Sequence, residues 1–156
     1  MNFIQAIKTC LRKYADFNGR ARRSEFWWFQ LFLILMEIGL TTLDHLILGY
    51  GWDDNITPLA TALDAVTVLP LAAVTTRRLH DIGWSGWWQA PIFALYVFYL
   101  DAFIPNFSDS AVMNSIFIVV GLFSLWLLFM LIRDSQVQTN KYGPNPKSPD
   151  MGQVFN

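Results

Sequence analysis

The chain has a single cysteine, Cys10, in 156 residues, so no intramolecular disulfide can brace it. It has only two histidines, His45 and His80, which the reading below puts at opposite membrane faces, so no zinc-type ligand spacing exists and no metal or cofactor is expected. Charge is scarce as well: 15% of residues are charged, against about 25% in soluble domains. No short apolar core with a small-residue cleavage site precedes Glu25, so no cleaved leader is expected and the first long apolar run would direct insertion. Ser85 stands between Trp84 and Gly86 without a G-x-S-x-G frame, so no nucleophile is marked. No G-x-x-x-G pair marks a helix-pairing face.

What fills the chain is apolar: 54% of residues are hydrophobic, and they cluster. A helix needs about 20 mostly apolar residues to cross the hydrocarbon core. Four windows meet or approach that length, Phe26–Leu48, Thr57–Thr76, Trp87–Ile104 and Val112–Ile132. They predict an all-α integral membrane protein with four transmembrane helices in one domain (25–133) and no room for a separate soluble domain. All 11 bases fall before the first span, between the second and third, or after the fourth. The other two loops hold Asp53, Asp54, Asp101 and Asp109 and no base. Lys and Arg in short loops stay on the cytoplasmic side, so both termini are expected inside.

Before the first span, Phe3, Ile4, Ile7, Leu11 and Tyr14 recur at helical spacing beside Lys8, Arg12 and Lys13. This predicts an amphipathic N-terminal helix (within 1–24) lying in the membrane interface, or else packed on the cytoplasmic loops. Ser24 is the expected N-cap of the first span, with Glu25 near the positive end of its dipole. After the fourth span the tail (134–156) cannot extend a helix past Gly143-Pro144, and is expected as an ordered turn or a loose end.

The segment Arg77-Arg78-Leu79-His80-Asp81-Ile82-Gly83-Trp84-Ser85-Gly86-Trp87-Trp88 carries most of the polar chemistry between the second and third runs. It is expected to be a loop at the membrane surface. Together with F-N-G-R-A-R-R-S-E-F-W-W and the N-K-Y-G-P-N-P of the tail, it resembles the bacterial inner-membrane family known as domain of unknown function 805, the YhaH-like proteins. The three motifs come in that family's order and enclose nearly the whole chain. The resemblance implies a four-helix protein of the bacterial inner (plasma) membrane, and it supplies no catalytic residue to carry over.

Three constellations compete for a function. Arg20, Arg22, Arg23, Arg77 and Arg78, with Trp84, Trp87 and Trp88, share one membrane face. They either fix topology or form a basic site for anionic lipid headgroups, since guanidinium forks suit phosphate oxygens. His80 and Asp81 suggest general-base chemistry, but adjacent side chains diverge, and the plainer role is to order the loop, Asp81 by capping it or pairing with an arginine. Glu37, Asp44 and Asp64 lie within the first two spans, about 16 Å and 6 Å from Leu48 and about 10 Å from Thr57 at 1.5 Å per residue. Intramembrane carboxylates often mark a proton or ion route, the alternative being interhelical hydrogen bonding. The expectation is therefore a non-enzymatic membrane protein whose Arg/Trp face binds anionic lipid or a partner protein, with a small proton- or cation-coupled transporter as the alternative. The expected partners are the phospholipid bilayer and a second copy or another membrane protein, not nucleic acid.

Overall fold

A computed structural model describes residues 1–51, 57–99 and 111–147, with side chains at 95–99 and 111–114 left aside. The described residues form five α-helices: α1 (Phe3–Arg12), α2 (Arg23–Ile47), α3 (Pro58–Asp81), α4 (Ala90–Tyr99) and α5 (Ala111–Ile132). A 3-10 turn, Gly86–Gln89, leads into α4. Three stretches are long and apolar enough to cross a membrane: Arg23–Ile47, Pro58–Asp81 and Ser115–Ile132. The third window expected from the sequence begins as the 3-10 turn, and the described part of α4 has 10 residues, half of what a crossing needs. Its outer end at Ile104, and Asp53, Asp54, Asp101 and Asp109, lie outside the described residues.

The helix boundaries follow capping chemistry rather than the edges of the apolar runs. Asn2 accepts from the Gln5 N–H while the Gln5 side chain accepts from the Asn2 N–H, a capping box that starts α1. α2 begins at Arg23, so Ser24 lies inside the helix and is not its cap; Arg22 takes the N-cap position and makes no side-chain capping bond. α3 runs through Asp81, five residues beyond the expected Thr76, so Arg77 to Asp81 are its last residues rather than a loop. The apolar window closes at the first charge, but a charge that finds partners does not stop a helix. What stops α3 is Gly83, whose φ of +84° is the left-handed position only glycine takes without strain. Gly83 N–H bonds His80 O at 3.0 Å and Trp84 N–H bonds Leu79 O at 2.9 Å, the double closure of a Schellman motif.

Pro70 sits inside α3 and has no N–H to give the Val66 carbonyl four residues earlier. The Tyr14 hydroxyl, arriving from beyond α1, donates to that carbonyl instead. A backbone group that lipid could not satisfy is thus satisfied by another element.

The core lies where α2 begins and α3 and α5 end, a region called the head below. Cys10, Ala21, Phe26, Phe29, Val74, Leu79, Ile82, Leu127 and Leu131 are buried together there, with Trp84 and Trp126 alongside. α1 joins them through buried Ala6 and Cys10 and an edge contact of Phe3 with Trp28, while Ile4 and Leu11 stay exposed. Away from the head the helices expose apolar side chains, among them Ile34, Ile38 and Leu46 on α2 and Ile118, Leu122 and Leu125 on α5.

Candidate functional site

The most polar part of the molecule is also among its most buried. Arg77 and Arg78 are consecutive on the last turn of α3, so their side chains leave about 100° apart and reach different neighbours. Both are fully buried. Arg77 pairs with Glu25 at 3.1 Å and donates to the carbonyls of Lys13, at 3.2 Å, and Asp16, just past the end of α1. Arg78 pairs with Asp81 and donates to Leu131 O at 3.1 Å and to Arg133 O, at the end of α5. The last four carbonyls of a helix lack partners within it and carry the negative end of its dipole. Each arginine therefore closes the end of a different helix, with a fork of donors that suits adjacent carbonyl oxygens.

Arg20 completes the arrangement. Its Nε donates to Asp81 Oδ1 at 2.9 Å, and its terminal nitrogens reach Gln136 O at 2.6 Å, Gln138 O at 2.9 Å, Gly143 O at 3.2 Å and Asp81 O at 3.3 Å. One guanidinium thus ties the turn before α2, the end of α3 and the C-terminal tail. The tail is an ordered turn: Asn140 and Gly143 pair through their backbones, and Asn140 donates to His80 O at 2.9 Å. Three buried guanidiniums meet two buried carboxylates, and helix-end and tail carbonyls supply the remaining negative potential.

These contacts divide the five arginines of the expected anion site. Arg20, Arg77 and Arg78 face inward and are held by protein partners, whereas Arg22 and Arg23 remain at the surface. Arg22 donates to Pro146 O, and Arg23 pairs with Asp134 at 3.3 Å. Lys147 beside Asp134, together with the Ser135 N–H, holds that carboxyl below its ordinary range. Arg23, Ser24, Trp27, Trp28, Leu31 and Ile132 line an open groove of about 490 Å³. The expected tryptophans divide too. Trp84 and Trp88 pack with Trp126 of α5, their ring centroids 5.4 and 5.8 Å from it, while Trp87 points outward at 83% exposure.

His80 and Asp81 diverge as neighbouring side chains do. The Asp81 carboxylate is held by Arg20 and Arg78; the His80 ring lies 3.2 Å through Nδ1 from Gly19 O and stacks on Tyr142 at 3.7 Å. The intramembrane carboxylates also part company. Asp44 is fully buried and accepts from the N–H groups of Leu59, at 3.0 Å, and Ala60, at 3.2 Å, so a side chain of α2 caps the start of α3. Glu37 and Asp64 line one small cavity of about 250 Å³ between α2 and α3, with Gln30 and Thr67.

Glu25 was legible only as a dipole partner, yet it is the counter-ion of Arg77, Tyr142 was legible only as part of the tail motif, and Gln136 and Gln138 carried no signal of their own. A surplus of bases flanking an apolar core, with one carboxylate in each basic motif, is the pattern that points to such pairing. Burial raises the Cys10 thiol from 9.0 to about 12, with Glu25 adding to the rise, as fits a closed interior.

A helical membrane protein whose helix ends and tail are locked by buried arginines is the class that fold and site define. The chain belongs to the family described as "Protein of unknown function (DUF805)", whose profile matches residues 14–144 and so takes in Arg20, Glu25, Arg77, Arg78 and Asp81. It is similar to inner membrane protein YhaH of Escherichia coli strains K12 and O157:H7, 40% identical over 82 residues that cover 50% of this chain and 64% of YhaH. It is also similar to inner membrane protein YhaI of Escherichia coli K12, 34% identical over 97 residues covering 62% of this chain and 78% of YhaI. The match therefore spans a little under two thirds of YhaH. No solved structure matches.

Proposed function

We propose that this is a four-crossing protein of the bacterial inner membrane, both termini cytoplasmic, whose non-enzymatic role is to hold anionic lipid headgroups at the surface of the arginine-locked head. The observation that carries the reading is the groove lined by Arg23, the neighbour of Arg22 in sequence. Its walls are Trp27, Trp28, Leu31 and Ile132, which suit the boundary between headgroup and acyl chain. Bases near a membrane are each worth about 1 kcal/mol towards an anionic surface, and guanidinium donors left over from Asp134 and Pro146 suit phosphate. α1, with Lys8 and Arg12 exposed beside Ile4 and Leu11, would lie in the same interface.

The test is native mass spectrometry of the full chain in mild detergent with added phosphatidylglycerol, beside the double variant Arg22→Gln with Arg23→Gln. Retention should fall about tenfold or more, as expected for the loss of two such bases. Equal retention would return these residues to fixing topology, and retention of a protein in place of lipid would make the face a partner surface. Arg77 and Arg78 are left intact because their loss would disturb folding.

A second reading rests on Glu37 and Asp64 lining one cavity, which suits a small proton- or cation-coupled transporter. Glu37→Gln with Asp64→Asn should abolish a pH-dependent flux in proteoliposomes if transport is real. Unchanged flux would remove this reading.

A further inference from the structure

A second cavity, of about 630 Å³, is lined by residues none of which line the groove at Arg23. His80, Thr76 and Ala72 line it at four-residue intervals, one stripe of α3 about 12 Å long at 1.5 Å per residue. The stripe runs from the polar end of α3 towards its apolar middle. Tyr142, stacked on His80, and Asn18, Ser85, Ala90 and Phe93 also line it. Gly86 lets the 3-10 turn press close to α3, since a Cβ there would collide with the Thr76 side chain. Cavities of this size usually hold a small molecule by an apolar body and a few placed polar groups.

The polar groups define that molecule. No Lys, Arg, Asp or Glu lines the cavity. The His80 Nδ1 faces Gly19 O at 3.2 Å; a carbonyl only accepts, so Nδ1 carries the proton and Nε2 is the acceptor of the neutral ring. Ser85 Oγ accepts from the Trp87 N–H at 3.4 Å, which leaves its own proton to donate. Gln89 donates through Nε2 to Ala72 O at 3.2 Å and to Thr76 Oγ1, contacts that fix its amide orientation. Its Oε1, in a side chain that is more than nine-tenths buried, has no partner among the described residues. That atom is closed off even with the cavity empty, so the Gln89 amide braces the wall, and His80 and Ser85 are the polar groups left to meet a ligand.

We propose that this cavity binds a neutral amphiphile headed by a hydroxyl group, with its head between His80 and Ser85 and its hydrocarbon along Ala72 and Phe93. A hydroxyl both donates and accepts, which matches an acceptor at His80 and a donor at Ser85. A phosphate or carboxylate head finds no Lys or Arg in the lining. Two kinds of membrane molecule share this chemistry, isoprenoid alcohols and diacylglycerols. The site is separate from the groove at Arg23 and shares no lining residue with it.

The experiment uses the full chain in mild detergent with geranylgeraniol or dioctanoylglycerol as probe, each beside its methyl ether, with binding followed by tryptophan fluorescence and by native mass spectrometry. Each ether keeps the hydrocarbon and loses only the donor. At least one alcohol should bind about tenfold tighter than its ether, and whichever does so identifies the source. Ala72→Trp, which fills the apolar end, should abolish binding, and His80→Phe, which keeps a flat ring against Tyr142, should reduce the alcohol to the level of its ether. Binding of alcohol and ether alike, or of neither, would overturn the proposal whatever the variants do. Phosphatidylglycerol retention by the same samples reports separately on the groove at Arg23.

Discussion

α3 presents two different surfaces along one helix. Near its end Val74, Thr76, Arg77, Arg78, Leu79 and Asp81 are buried, whereas nearer its start Thr61, Ala62, Asp64, Ala65 and Val66 are exposed. α5 shows the same contrast, with Leu127 and Leu131 buried and Ile118, Val119 and Leu122 open. In water this would be a fold turned partly inside out, charged groups within and leucines without. In lipid it is reasonable, because an apolar side chain gains little by exchanging acyl chains for another helix. Directional bonds must then fix how the helices sit, and they concentrate in the head. The contrast locates the specificity of the fold in Arg20, Arg77, Arg78, Glu25 and Asp81, at the end of the bundle rather than along its length.

The strongest way to break that contrast is Asp81→Ala. It leaves Arg20 and Arg78 buried without their carboxylate, and losing one partner of a buried pair costs about 3–5 kcal/mol. Thermal unfolding in detergent should show a large drop, or folded protein should fail to accumulate. A wild-type midpoint would mean that the network adds little. Next is Tyr14→Phe, which strands the Val66 carbonyl freed by Pro70 and should cost about 1–3 kcal/mol. In a Pro70→Ala background, where residue 70 can supply its own N–H, the same change should cost much less. A double-mutant cycle on unfolding midpoints measures this, and additive costs would refute the pairing.

Gly83→Ala should cost about 1–2 kcal/mol, since φ is +84° and only glycine takes the left-handed position freely. The same melts test it. The buried thiol of Cys10 gives a smaller, pH-dependent effect. Below pH 9 it is neutral whether folded or unfolded, so it leaves stability level there. Above pH 9 the unfolded thiol ionises while the folded one, raised to about 12, does not, so stability should fall from pH 9 upward. Maleimide should label Cys10 slowly in the native protein and faster in Asp81→Ala; rapid labelling of the wild type would show that the head is open. Smallest of all, Leu125→Ala on the exposed face of α5 should shift stability by no more than about 0.5 kcal/mol, and a loss like that of Asp81→Ala would erase the contrast between the two regions.

Much of this was readable before any coordinates, unevenly. Three of the four apolar windows correspond to helices long enough to cross a membrane, because length and hydropathy alone set that limit. The ends were misplaced at Ser24 and Thr76, since hydropathy changes at a charge whereas a helix ends where its backbone must. The charged residues of the head, Arg20, Glu25, Arg77, Arg78 and Asp81, were conspicuous in motifs, but their roles were not. Bases clustered near lipid suggested an outward-facing anion site, and three of the five turned inward. Asp44, grouped with Glu37 and Asp64 by helical spacing, caps α3 instead, a use that spacing along its own helix does not reveal.

The sequence by itself determined that this is a helical membrane protein, which family it belongs to, and where its polar chemistry is concentrated. Those properties depend on composition, order and short-range periodicity, all of which are local. Only the tertiary structure decided which arginine meets which carbonyl, that Arg77 and Arg78 close different helices, and that Tyr14 serves a proline fifty-six positions away. Such pairings join elements distant in the chain, and a guanidinium fork has the same appearance in sequence whether it meets a phosphate, a carboxylate or the end of a neighbouring helix.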